Sequence, residues 1–437
     1  MKNLLIIFLF ILTNGSNIKI KFNKLPNEGN IDIKMIFYPV IRVTTYFGLP
    51  FFSINVCLDW ESPYTWVKKE EYNTYISEYF MYDTKTKGEL MIYDDTLSSG
   101  YSVYDVISFK KEIVKDPKKE DDKYAMKIIK FFLGTQYIEM QHCSGVIGLR
   151  FNHINKLYQT FTQQVKENNV TSVNEFSIVY TNNEEGYLIF DNSINTNEYL
   201  FKCDIVDDKA LSQWYSRIYS LELNGNNILK SPLSLVKIQS SFGLVMGPSK
   251  LKEKVINGLI ENFEKHCIEY TTLTSDIQSD QFYISKDYEY YLCTNDIERE
   301  DMNELVFYFN TERRERNTIR VSKEDVFTVY NSTHKLFNIA FDNSPGIKLH
   351  DWIIGDIILR KYRVNYNVDE LSISFYSKGN ATTHGFSSFF IIIGVIILIL
   401  LVLSLFYYAR RRYLLLKRTN KKRILNRDME IITSPLL

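Results

Sequence analysis

Asp59 ends an apolar, β-branched run over 54–58, and Ser62 and Trp66 follow it closely. A carboxylate where a buried strand opens into a polar loop is the kind of group that serves general acid–base chemistry. A second run, over 233–238, ends in the same way but at an amide, Gln239. Each strand end is answered later in the chain by an apolar-apolar-glycine step. Gly145-Val146-Ile147-Gly148 follows the first, and Trp352-Ile353-Ile354-Gly355 follows the second. Two halves with the same succession suggest a duplicated lobe. Other chemistries find no residues to carry them. The six His lie singly, without His-Glu-x-x-His or other ligand spacing, so neither a metal nor a cofactor is expected. No Gly-x-Ser-x-Gly and no phosphate loop occurs.

The elements that must position these residues are strands. Short apolar runs at 54–58, 90–93, 176–180, 187–190, 304–309 and 371–375, separated by polar turns, favour an all-β architecture. Helical periodicity is confined to 154–165, through Leu157, Phe161 and Val165, and to 250–263. A stretch of about 370 residues exceeds one ordinary β core, so two lobes are expected, at 17–194 and 195–380. With 437 residues, 45% of them hydrophobic, the chain is no disordered tail, collagen or small disulfide-stapled domain. Its 52 basic and 52 acidic residues cancel, which gives no reason to expect nucleic acid as a partner.

Both ends read as membrane signals. Residues 1–16 carry Lys2 and then nine consecutive apolar residues, Leu4 to Leu12, the pattern of a secretory signal. Residues 389–408 run without a charge, and as a helix they span ~30 Å of hydrocarbon. Nine basic residues between Arg410 and Arg427, against Asp428 and Glu430, place the tail 409–437 in the cytosol. The expectation is a single-pass type I protein of the secretory pathway or plasma membrane, its bulk luminal or extracellular. Setting the tail charges and Lys2 aside leaves 42 basic against 50 acidic residues. A luminal charge of −8 argues against adhesion to lipid or polyanions there. Glycosylation triplets begin at Asn169, Asn331 and Asn380. The five Cys (Cys57, Cys143, Cys203, Cys267 and Cys293) leave at least one unpaired within the chain.

In order and spacing these residues resemble the pepsin-like aspartic proteases. That family's first active-site loop reads Asp-Thr-Gly-Ser with Trp-Val shortly after. Here Leu58-Asp59-Trp60-Glu61-Ser62-Pro63-Tyr64-Thr65-Trp66-Val67 keeps the Asp, Ser, Trp and Val. Ile92-Tyr93, Gly100 and Tyr104-Asp105-Val106 look like the flap hairpin, and Ser144-Gly145-Val146-Ile147-Gly148-Leu149 is similar to Asp-Gly-Ile-Leu-Gly-Leu. Phe176-Ser177 and Gly186-Tyr187-Leu188-Ile189-Phe190 match the strands that close the first lobe. Leu223-Asn224-Gly225, Leu244-Val245-Met246-Gly247-Pro248 and Trp352-Ile353-Ile354-Gly355-Asp356 resemble the second lobe's landmarks. The resemblance implies two β-rich lobes, a few short helices and a peptide cleft between the lobes. It also implies a disulfide between Cys267 and Cys293, worth ~3 kcal/mol in the chain-entropy account. Cys57, in a strand entering the core, reads as a buried thiol.

Peptide hydrolysis in this family needs two carboxylates ~3 Å apart sharing one proton. Asp59 supplies one. Counting back from Gly247-Pro248 puts Gln239 at the second position, and an amide has no proton to relay. The loop glycines are Glu61 and Ser241, the Thr beside the first Asp is Trp60, and Asp94 and Thr96 replace the flap glycines after Tyr93. Glu61 is a substitute acid only if it can pair with Asp59, and neighbours on a turn usually point apart. Some twenty residues between the signal and a first lobe strand around 35–42 leave little room for a pro-segment. The leading expectation is a membrane-anchored pseudoprotease with a peptide-binding cleft in which Tyr93, Ser62 and Trp66 take part. The alternatives are an active aspartic endopeptidase and, from another class, a structural or adhesive ectodomain.

Overall fold

A computed structural model describes residues 18–24, 37, 39–48, 51–86, 88–92, 97–109, 125–137, 143–151, 159–168, 171, 173–190, 198–206, 213–229, 234–279, 282–297, 302–309, 317–343, 352–378 and 403–419. Side chains are described for all of these except 18, 125–127, 272–279 and 282–286. The expected signal 1–16 and most of the expected membrane span 389–408 lie outside them. Among the described residues no helix is long and apolar enough to cross a membrane. The helix at 403–419 carries the last residues of the apolar run and Arg410, Arg411 and Arg412.

Residues up to Lys378 form one compact unit and those from Gly379 another. The first is mostly strand, in sheets of 14, nine and four strands. Its α-helices are short: Phe161–Glu167, Lys252–Leu259, Phe263–His266 and Asp356–Leu359. Helical periodicity over 154–165 narrows to Phe161–Glu167, where Thr160 and Gln163 form a reciprocal capping box that fixes the start. Periodicity over 250–263 resolves into the next two helices.

Two sets of strands repeat one arrangement. In the first half, Phe52–Asp59 pairs in parallel with Gly145–Gly148, which pairs antiparallel with Trp66–Lys68; that strand in turn lies parallel to Ala125–Tyr137. In the second, Ser234–Ile238 pairs in parallel with Trp352–Ile354, which pairs antiparallel with Val245–Pro248; that strand lies parallel to Ile339–Asp342. Sequence accounts for this placement. Phe52–Asp59 alternates exposed and buried residues as far as Val56 and is then buried throughout, as a strand covered on both faces must be. Gly145–Gly148 and Trp352–Ile354 are buried at every position.

The glycine that ends each apolar step has a steric cause. A Cβ on Gly148 would stand 2.5 Å from the carbonyl oxygens of Ser62 and Tyr64. One on Gly355 would stand 2.2 Å and 2.3 Å from those of Leu244 and Phe242. Only a residue without a side chain lets each loop fold back over its partner strand.

Two expectations are corrected. The first strand is not around 35–42: Ile18–Lys24 already pairs with Glu185–Phe190 and with Ile41–Phe47. Its alternating Ile20 and Phe22, both buried, supply a core-facing side that places it between those strands. Cys57 is not a free thiol. The parallel pairing carries Cys143 to it, with the Cα atoms 5.7 Å apart, and the two form a disulfide. Cys267 and Cys293, directly opposite on the hairpin Cys267–Ser279/Phe282–Thr294, form the other. The buried free thiol is Cys203, and burial pushes its pKa up to about 12.

Two outcomes follow. Gly148→Ala or Gly355→Ala lowers stability by at least ~2 kcal/mol in chemical denaturation, because backbone must shift to admit the methyl group. Peptide mapping under non-reducing conditions finds Cys57 linked to Cys143 and Cys267 to Cys293, and Cys203 is alkylated only after denaturation.

Candidate active site

The repeated arrangement brings the two strand ends together. Asp59 stands opposite Gly148, and Leu149 N–H donates to its carbonyl at 2.7 Å. Gln239 N–H donates to the Ile354 carbonyl at 3.2 Å. Asp59 is buried, and its Oδ1 accepts the Glu61 backbone N–H at 2.8 Å, which closes the loop over the carboxylate. Ser62 Oγ accepts the Tyr64 N–H at 3.1 Å, so its visible work is to hold the turn.

Glu61 links the two halves. Its Oε1 accepts from Gln239 Nε2 at 3.1 Å and from Lys237 Nζ at 2.7 Å. The Lys237 side chain is 5% exposed and that of Glu61 21%. This is a charge-assisted contact at the seam between the two halves, screened from water on the lysine side. The turn places the Glu61 carboxylate on Gln239, the residue standing where the second acid is expected. Gln239 is buried, and its Oε1 has no hydrogen-bond partner.

Lys237 went unnoticed in the sequence because it sits inside a run read as apolar. The signal was present: one charge in a buried strand, two residues before Gln239 and therefore on the same face. Its neighbours across the sheet are Tyr215 and Ile353. The Tyr215 ring lies 5.8 Å from the ammonium, close enough for a cation–π contribution. Such a cation would be costly to bury alone, and Glu61 supplies the partner.

Beneath the seam, the residues after Asp59 and Gln239 meet a buried polar cluster. Trp60 is fully buried and packs edge-on against Tyr366. The Tyr366 hydroxyl has Ser240 and Trp60 as polar neighbours, and burial raises its pKa. The Tyr180 hydroxyl lies beside Asp356 and Ser240, and burial followed by the Asp356 charge raises its pKa. Asp356 is paired with Lys24 at 2.5 Å. Trp60 thus fills the interior with an indole where the family has a small hydroxyl.

The remaining expected residues are placed as follows. Trp66 is buried and stacks on Tyr137 at 5.2 Å, in a cluster with Ile92, Leu97, Phe132 and Val146. That cluster lies at the base of the hairpin formed by Glu89–Met91 and Leu97–Ser108. Tyr93 lies outside the described residues, as do Asn169 and Asn380. Asn331 is exposed, and its Oδ1 accepts from Thr333 and His334 in a tight turn. Among the described residues no group of three or more His, Cys, Asp or Glu could hold a metal ion.

The ion pair makes a measurable demand. Lys237→Met and Glu61→Gln each lower stability alone, and the double variant recovers part of the loss. The coupling in a double-mutant cycle is ~1–3 kcal/mol by chemical denaturation.

The chain matches the family described as Eukaryotic aspartyl protease over residues 43–378. No curated protein matches it. The matched span contains both strand-end residues, both glycine steps and the seam between them, and this chain belongs to the eukaryotic aspartyl protease family.

Proposed function

We propose that this protein is a membrane-anchored pseudoprotease, holding extended peptides in the cleft between its two lobes without cleaving them. The observation that carries this is Gln239. The family's mechanism needs an ionised acid to activate water and a protonated one to polarise the scissile carbonyl. An amide serves neither purpose. Its Nε2 is already engaged with Glu61, which is itself neutralised by Lys237. Peptide holding has separate support. The flap-like hairpin and the strand ends are retained, and extended peptides bind such clefts by strand addition.

A second reading, an active endopeptidase with an Asp59/Glu61 pair, draws on the position of Glu61 at the seam. Lys237 counts against it. A carboxylate held by an ammonium at 2.7 Å acts as an anion and offers no shared proton. The membrane part rests on the apolar run 389–408 and the basic residues after it. An oxidising compartment is supported by the two disulfides.

The test is incubation of the full chain, purified in detergent, with a peptide library from about pH 3 to about pH 7, where carboxylate dyads titrate. The expected result is no cleavage, with the protein indistinguishable from its Asp59→Ala variant. Cleavage that Asp59→Ala abolishes would overturn this reading.

A further inference from the structure

We infer that Lys237 and Gln239 form a carboxylate receptor at the cleft seam, that Glu61 occupies it in the free protein, and that the cleft selects peptides bearing a carboxylate at that point. This rests on the peptide-holding reading above and names the ligand class.

The receptor is built from the second half of the chain. Lys237 and Gln239 lie two residues apart, at the end of one strand and just past it, and present donors to a single oxygen at 2.7 Å and 3.1 Å. Both side chains are deeply buried. Their ligand comes from the other half. Glu61 sits on a loop and keeps a fifth of its side chain exposed, so it can swing into water. The two donors cannot follow it, because Lys237 is fixed between Tyr215 and Ile353 in the sheet.

When Glu61 leaves, a buried ammonium and a buried amide N–H lose their acceptor together. An unpaired buried cation is strongly unfavourable, so the vacated position admits an anion in preference to a neutral group. The receptor fits a carboxylate: one oxygen takes both donors, as Glu61 Oε1 does now. Gln239 Oε1 is the second pointer to a ligand. It is an inaccessible acceptor without a partner while Glu61 covers the site. A backbone N–H from an incoming extended peptide satisfies it.

The acidic balance of the luminal part opposes an acidic ligand only at long range. Charges more than ~8 Å away are screened at physiological salt, whereas the Lys237 contact is direct and shielded. The required carboxylate has two sources, an Asp or Glu side chain or the peptide's C-terminus. Exchange of one carboxylate for another makes Glu61 a built-in competitor, which weakens binding and leaves selectivity intact.

The experiment measures fluorescence anisotropy of labelled extended peptides with the full chain in detergent. Three probes share one sequence: a central Glu with blocked termini, a central Gln with blocked termini, and the Gln peptide with a free C-terminus. Either of the carboxylate-bearing probes is expected to bind about tenfold or more tightly than the blocked Gln peptide, and which one does identifies the source. Glu61→Gln tightens binding of the preferred probe and widens its preference over the neutral one. Lys237→Met removes the preference. Because these two variants move in opposite directions, loss of folding cannot mimic the pattern. Equal affinity for all three probes overturns the receptor while peptide holding stands. Absence of binding by any of them removes peptide holding and the receptor with it.

Discussion

One carboxylate oxygen, Glu61 Oε1, joins the two halves of this chain beside the strand ends that carry Asp59 and Gln239. It lies between Lys237 and Gln239, both contributed by the opposite half. An aspartic dyad depends on two like charges that cannot both ionise, so that one proton is trapped between them. Here the seam is built on the opposite rule. On the proposed reading a cation and an amide N–H both donate to one anionic oxygen, and no proton is shared there. On the proposed reading Gln239 removes the reason for a dyad, and Lys237 gives Glu61 another occupation.

The surrounding changes are consistent with that exchange. The family's loop glycine and threonine keep space for tight turns and small hydroxyls near the acids. In this chain Glu61 and Trp60 stand there. Glu61 turns outward to the seam while Trp60 turns inward to Tyr366 and a buried polar cluster. Asp59 itself remains held by a backbone N–H in its own loop. The scaffold is kept strictly, with both glycine steps packed under the loops at distances that exclude any side chain. The glycines that the packing requires are kept, and so is Asp59, while an amide stands at Gln239.

How much of this is legible in the sequence depends on the range of the interaction concerned. Strands at 54–58 and 176–180 and the two apolar-glycine steps follow from local pattern and spacing, and they are where the chain puts them. Pairing between distant segments is less visible. Cys57 reads as a core thiol because nothing near it announces Cys143, which arrives only through the parallel strand register. Ile18–Lys24 is hidden by its closeness to the N-terminal apolar run, although its alternation is that of a sheet strand. Lys237 escapes because one charge in an apolar run looks like noise until its partner, far away in the chain, is known. Turn geometry suggests only that Glu61 points away from Asp59, and its partner, a buried cation in the other half, is not legible locally.

The seam's lack of a shared proton is tested most directly by calorimetry with two extended peptides. One carries a secondary alcohol in place of the scissile carbonyl, and the other is its deoxy counterpart. A working dyad grips the alcohol as it would a transition state, which is worth about a hundredfold or more in affinity. With Gln239 and the Glu61–Lys237 pair in its place, the two peptides should bind the full chain equally well. A strong preference for the alcohol, lost in the Asp59→Ala variant, would contradict the account.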